Sequence, residues 1–438
     1  MSSALDPTRS TSRLSIRVTA LCWFVVLLDG LDLFVFGAVL PRLLSEHAVG
    51  LTPVVAGEVA SLTTFGMLLG ALASGFVTDR LGRRMGLVLG VTVFSLASLA
   101  TGLAPTLAVF GVARFVAGLG LGGLLPTAIT MAMEYAAPRR KALSVAVVMT
   151  AHQAGGALAG TLGLALAASL GWRGVFMLGA VPLLVAVPAL LAWLPESPSF
   201  LLARGRRSEL AALAERHGVD VASLTPADED RRSADVGLRA LFAHGSRRAT
   251  VLFWIASFFG LLLVYGMSTW LPTMMRSNGY ELGSAVAFLV VVNLGGIVGL
   301  LIAGPLADRF GARPVAVIWF VLTAVGLCLL AVKMPLIATY AVVFFTGTWL
   351  FSAQTMIYAF VGASFGPSAR GTALGWASGV GRVGAIVGPS LGGLLVASGA
   401  STWGFGVFAA AAVLGAVSTA LVPRRRPVQA ESREAVLA

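Results

Sequence analysis

Twelve long apolar stretches, parted by short segments rich in arginine, glycine and proline, dominate this 438-residue chain. They run over 18–40, 54–77, 86–104, 107–135, 142–170, 174–194, 249–275, 284–307, 314–332, 336–362, 371–397 and 403–422. A helix needs about 20 apolar residues to cross a bilayer, and a chain that is 57% hydrophobic holds enough for twelve crossings with little to spare. Only 11% of residues are charged, against about 25% in an ordinary soluble domain. The pattern predicts an all-α membrane protein and excludes a large globular enzymatic domain. The first stretch contains acids and is followed by no small-residue cleavage site, so it reads as a retained helix and not a removable signal.

A net charge of +12 might suit nucleic acid, but the basic residues sit between apolar stretches, where membrane topology puts them. Of the 31 Lys and Arg residues, 25 fall on one side of the alternating loops. Arg42, Arg173, Arg276 and Lys333 fall on the other side, and Arg114 and Arg382 lie within helices. This imbalance predicts that both termini and the long loop 195–248 are cytoplasmic. The scarcity of lysine beside arginine, with the Ala, Gly and Val richness, suggests a high-GC bacterium and hence a multi-pass protein of the bacterial inner membrane. No nucleic-acid partner is expected.

The loop 195–248 splits the chain into an N-terminal tail (1–17), a six-helix bundle (18–194), a linker (195–248), a second bundle (249–422) and a C-terminal tail (423–438). The linker's amphipathic stretch 206–217 suits a short helix along the membrane face. An internal repeat supports the division. Gly75-Phe76-Val77-Thr78-Asp79-Arg80-Leu81-Gly82-Arg83-Arg84 follows the second stretch, and Gly304-Pro305-Leu306-Ala307-Asp308-Arg309-Phe310-Gly311-Ala312-Arg313 follows the eighth. Two equivalent halves are the arrangement of a rocking transporter.

The first of these segments resembles the G-x-x-x-D-R-x-G-R-R loop of the major facilitator superfamily, and the resemblance extends over roughly residues 16–422. It implies twelve transmembrane helices in two pseudo-symmetric six-helix bundles. It also implies a gating loop of Gly75, Asp79, Arg80, Gly82, Arg83 and Arg84, with Asp308 and Arg309 as its counterpart. Physically, Gly75 would allow close helix approach, Asp79 would accept from a helix N-terminus or an Arg, and the arginines would fix the cytoplasmic end. Further segments resemble the aromatic acid:proton symporter family within that superfamily. They are Asp29-Gly30-Leu31-Asp32, the run Arg114 to Gly123 with Pro126 and Glu134-Tyr135, and Arg370-Gly371-Thr372 with Gly375-Trp376 and Gly381 to Ile386. Pro195-Glu196-Ser197-Pro198 is shared with sugar and metabolite porters generally. Phe365-Gly366-Pro367 departs from the family's usual Tyr-Pro.

An ionisable residue at mid-helix costs about 2.5–3.5 kcal/mol on insertion scales, so each such residue requires a reason. Asp29 and Asp32, three apart, are expected on one helical face. Two carboxylates there resist joint ionisation, which suits a proton carrier; an Arg-paired structural Asp would account for one of them. Arg114 and Arg382 are the basic side chains inside the bundle, and a guanidinium can grip a carboxylate with two prongs. Either could instead neutralise an intramembrane acid. His152 and Gln153 could relay protons or donate to a substrate oxygen, or be satisfied core residues. Phe34, Phe36, Tyr265, Tyr358 and Trp376 are candidate ring walls, Trp376 foremost, with Asn293 and Gln354 for ring hydroxyls.

The expected activity is proton-coupled import of an aromatic carboxylate of the hydroxybenzoate, protocatechuate, gentisate or benzoate type, by a monomer whose partners are substrate, protons and lipid bilayer. A proton-coupled drug or metabolite antiporter is the alternative, although 151–163 lacks the Gly-Pro pair that such antiporters carry in the fifth helix. A non-transporting sensor and a polytopic membrane enzyme rank lower. Cys22 and Cys328 lie within apolar stretches, and the histidines at 47, 152, 217 and 244 are scattered. No zinc-protease or Walker motif is present, so neither metal nor cofactor is expected.

Overall fold

A computed structural model describes residues 7–137, 140–217, 241–242, 246–365 and 367–423. Every extended regular element among them is helical. In chain order the helices are α1 (Pro7–Ser45), α2 (Pro53–Leu81), α3 (Arg83–Leu103), α4 (Leu107–Leu121), α5 (Leu124–Tyr135), α6 (Lys141–Met177), α7 (Val181–Trp193), α8 (Pro198–Ala203) and α9 (Arg207–His217). There follow α10 (Arg247–Ser277), α11 (Leu282–Phe310), α12 (Ala312–Leu330), α13 (Leu336–Ser364), α14 (Pro367–Ala397) and α15 (Ser401–Ala420).

Among the described residues these form twelve spans. α4 and α5 form one span broken at Gly122–Gly123. The apolar run Leu143–Trp193 forms two, because Gly171 (φ 65°, ψ 178°) leaves helical geometry and turns the chain back. α1 begins at Pro7 and not at 18, since hydropathy marks the hydrocarbon crossing while the helix continues into the interface. The amphipathic stretch of the linker forms α9, whose Leu210 packs on Phe200 and Leu201 of α8. Part of the linker (218–240 and 243–245), the tail beyond 423 and residues 1–6 lie outside the described residues.

The sequence repeat persists into atomic detail. Gly82 (φ 94°) joins α2 to α3 and Gly311 (φ 89°) joins α11 to α12, in a backbone conformation that strains any residue with a Cβ. Arg84 donates to the Leu191 carbonyl and Arg313 to that of Ala420, each pair at the same separation. Inside the first bundle a Cβ on Gly118 would strike the Thr63 carbonyl; inside the second, one on Gly347 would strike that of Val292. Small residues at matching places let matching helices touch backbone to backbone.

The bundles meet at the end remote from the linker. There Arg276 of α10 donates to the Pro41 carbonyl of α1 at 3.0 Å. Ser61 of α2 lies 2.5 Å from the Ile386 carbonyl and 2.7 Å from Ser390 Oγ of α14. Gly160 and Gly163 of α6 abut Val290 and Val286 of α11. The face of α14 that carries Ile386, Pro389 and Gly393 continues through Arg382 towards Gly379, Gly375 and Gly371. On its remote half this face is sealed against Pro53 and Gly57 of α2; on its linker half a Cβ at any of those three glycines would meet nothing within 4 Å. The bundles are therefore closed at the remote end and parted at the linker end. The four basic residues of the remote end each donate to backbone carbonyls: Arg42 to Ala167, Arg173 to Gly102 and Ala104, Arg276 to Pro41 and Lys333 to Gly279.

Candidate functional site

The two aspartates of α1 face different surroundings. Asp32 points into the first bundle, where Arg114 Nη1 of α4 lies 3.0 Å from its Oδ2 and 3.3 Å from its Oδ1. Ser98 of α3 donates to the same carboxylate, and the guanidinium stands 5.5 Å from the Phe176 ring. Asp32 and Arg114 are 4% and 1% exposed, so this is a buried ion pair within one bundle. Asp29 is equally buried, yet its Oδ1 has no hydrogen-bond partner. Arg382, from the other bundle, lies within electrostatic reach of it. The two share a helical face closely enough to act on one another, yet they meet different surroundings. Three residues along a helix subtend about 300°, and the remaining 60° lets one side chain enter the bundle core while the other faces the space between bundles.

Around Asp29 the structure gathers most of the predicted polar residues. His152 of α6 stands edge-on to Phe34, ring centroids 5.5 Å apart, and Phe34 in turn meets Phe351 of α13 at 6.2 Å. Gly296 of α11 packs between Phe351 and the Gln153 side chain, and Gly156 of α6 against the Asn293 amide. Gln354 abuts Gly260 of α10. Arg382 is within electrostatic reach of Asp29, His152 and Tyr265, and Tyr358 within reach of Tyr265. Gln153 Oε1, Asn293 Oδ1, both amide atoms of Gln354 and Arg382 Nη1 are buried without a hydrogen-bond partner. Buried polar groups are nearly always satisfied, so these atoms are candidates for hydrogen bonds to polar atoms of a bound molecule or water.

Two predicted walls lie elsewhere. Trp376, the foremost candidate, is 45% exposed and stacks on Trp254 at 5.5 Å, two turns towards the linker end from Arg382. Phe36 packs on Phe110 inside the first bundle. Phe351, which meets Phe34 across the bundles, is one phenylalanine among 24 and carries no spacing signal in the sequence.

The expected gating loop is organised differently from its motif. Gly75 is exposed, with nothing within 4 Å of a Cβ, so it mediates no close approach. Glu196 is an acceptor at the α3 N-terminus that the motif does not announce: its Oε1 receives the backbone N–H groups of Arg83 (2.9 Å), Arg84 (3.1 Å) and Ser197 (2.8 Å). A Cβ on Gly82 would occupy that carboxylate's place. Arg83 reaches Glu134 at 3.3 Å and Ser197 Oγ at 2.9 Å, and Ser197 donates to Glu134 at 2.5 Å. Arg204 of the linker donates to the carbonyls of Asp79 and Arg80, and Arg80 lies over Phe76. Asp308 and Arg309 are exposed, and Ala363 stands where symmetry would put a second Glu134. The signal for Glu196 was the Pro-Glu-Ser-Pro segment, whose broad distribution concealed its local role.

A model of the Major Facilitator Superfamily matches residues 22–300 and 283–437. The chain is 33% identical to the benzoate transport protein of Acinetobacter baylyi, with 95% of this chain and 91% of that one covered. It is 33% identical to the gentisate transporter of Corynebacterium glutamicum (92% and 86% covered). It is 34% identical to the 3-(3-hydroxy-phenyl)propionate transporter of Escherichia coli (98% of each). Among solved structures it is similar to the xylose transporter XylE of E. coli in a partially occluded inward open conformation, with a TM-score of 0.76 at 18% identity, covering 94% of this chain and 98% of that one.

Proposed function

Because this chain belongs to the major facilitator superfamily, and is therefore a transporter and not an enzyme, we propose that it imports an aromatic carboxylate together with protons by alternating access. The observation that carries this reading is the pair of unpartnered, opposite charges between the bundles. Arg382 supplies a permanent cation for the carboxylate, and Asp29 has a free oxygen with no partner in its own bundle. Phe34 and Phe351 offer apolar faces, and the amides of Gln153, Asn293 and Gln354 offer hydrogen bonds to ring substituents. The relatives, named for benzoate, gentisate and hydroxyphenylpropionate, support an aromatic acid as cargo.

Carboxylate and proton enter from outside, the proton resting on an aspartate of α1. With the linker end in the cytoplasm, as the charge imbalance favours, the described conformation is inward-facing. A negative-inside potential opposes anion entry by about 2.3 kcal/mol per charge per 100 mV. One proton removes that opposition, and a second makes uptake driven by the potential. The test is uptake of labelled benzoate, gentisate and 4-hydroxybenzoate into proteoliposomes under an imposed pH gradient. Accumulation that a protonophore abolishes, and that Asp29→Asn and Arg382→Gln each remove, is expected. Uptake that survives in both variants overturns the reading, as does export in place of import.

A further inference from the structure

Between the sealed halves of the two bundles lies a small cavity of about 20 Å³, enough for one water molecule. Thr63 and Thr64 of α2 and Arg114 of α4 line it from one side, and Tyr265, Ser268 and Thr269 of α10 from the other. The polar chemistry of this lining is one-sided. Thr63 donates to the Val59 carbonyl (3.0 Å), Thr64 to Ala60 (2.9 Å), Thr269 to Tyr265 (2.9 Å) and Ser268 to Val264. Each hydroxyl hydrogen is thereby committed to its own helix, leaving the oxygens as acceptors. The Arg114 Nε–H is a donor, buried and without a partner. A water molecule matches that set: it accepts from Nε and donates to two hydroxyl oxygens.

Arg114 is also the counter-ion of Asp32. If Asp32 takes up a proton, the guanidinium loses its compensating charge, and an uncompensated buried charge is costly. Hydration can offset that cost, and the route for water runs through this cavity, between α2 and α10. We infer that the Thr63/Thr64–Ser268/Thr269 cavity is a hydration site for Arg114, which widens when the remote end opens and thereby ties protonation of Asp32 to the outward-facing state. With the seam closed, one water is admitted and Arg114 must keep its pair with Asp32; with the seam open, solvent takes over from the carboxylate. The proton passes from bulk water to an Asp32 oxygen, and the ion pair is what breaks. Tyr265 is the other titratable group in the lining, and Arg382 of α14, Asp29 of α1 and Tyr358 of α13 lie within electrostatic reach of it.

This inference rests on the proton-coupled reading above, and the test separates the two. Thr64→Val and Ser268→Ala, alone and combined, remove acceptors at near-constant volume, while Thr64→Ser keeps the hydroxyl. In proteoliposomes two assays are run with labelled benzoate or gentisate: uptake driven by a pH gradient, and counterflow exchange at equal pH, which needs no net proton transfer. The combined variant is expected to lose at least tenfold in gradient-driven uptake and to need about tenfold more external protons for half-maximal rate, with counterflow within twofold of the parent. Thr64→Ser is expected to match the parent in both. Gradient and exchange falling together, or neither changing, overturns the hydration site while leaving proton coupling intact. A parent protein whose uptake ignores the pH gradient overturns both.

Discussion

Removing Asp32 or Arg114 singly tests how completely the pair is withdrawn from solvent. Asp32→Asn strands a guanidinium that is 1% exposed and cannot shed its proton. Breaking a buried pair in this way costs about 3–5 kcal/mol, and the loss should be the same at every pH from 5 to 8. Arg114→Leu strands a carboxylate instead, which escapes its charge by binding a proton. That proton costs about 1.4 kcal/mol for each pH unit above the ordinary aspartate value of about 3.9, hence about 4 kcal/mol at pH 7 and about 1.5 at pH 5. The sign follows from proton numbers. The folded variant holds a proton that the unfolded chain at pH 7 lacks, so stability rises as pH falls and levels off near 3.9. The double variant, with neither charge, should recover most of the loss. Denaturant unfolding of the purified protein in detergent, followed by tryptophan fluorescence from pH 5 to 8, reads all three. Equal pH slopes for the two single variants, or losses below about 1 kcal/mol as for a solvated pair, would refute the reasoning.

Three other outcomes follow from the geometry. Glu196→Ala leaves three backbone N–H groups at the α3 N-terminus without their acceptor and should cost about 1–2 kcal/mol, with Glu196→Gln costing less; a thermal midpoint that stays at the parent value would count against the cap. Gly118→Ala and Gly347→Ala should each lower the melting temperature, by about 1–3 kcal/mol of overpacking, whereas Gly75→Ala, in open space on a helix, should be neutral or gain about 0.5–1 kcal/mol. A loss at Gly75 equal to that at Gly118 would mean that something packs on it. Trp376→Ala should leave the KM for uptake within twofold, while Phe351→Ala raises it several-fold, and the reverse order would return Trp376 to the site.

The spans, the repeat and the charge-bearing helices were legible in the sequence because hydropathy and a constant separation of motifs are one-dimensional signals. Helix ends were less so. α1 runs eleven residues beyond the apolar stretch that announces it, and the fifth and sixth spans share one unbroken apolar run that a single glycine divides. In both places the bilayer sets the hydropathy boundary and backbone geometry sets the helix boundary, and the two need not coincide.

The site was legible in its residue types and not in their directions. Asp29, Asp32, Arg114 and Arg382 stand out because charge inside a membrane is expensive, but the sequence pairs them in no particular way. The structure resolves them into two sets: Asp32 ion-paired with Arg114 inside one bundle, and Asp29 within electrostatic reach of Arg382 of the other, without a hydrogen bond to its Oδ1. That difference has a mechanical consequence. A pair within one rigid bundle keeps its geometry as the bundles rock, so only protonation or hydration can break it. A pair spanning the bundles changes separation with every half-cycle, so motion alone alters its energy. The first kind can store the proton's effect and the second can sense which side is open. Tyr265 lies between the two sets: it lines the Arg114 cavity on one side and is within electrostatic reach of Asp29 and Arg382 on the other.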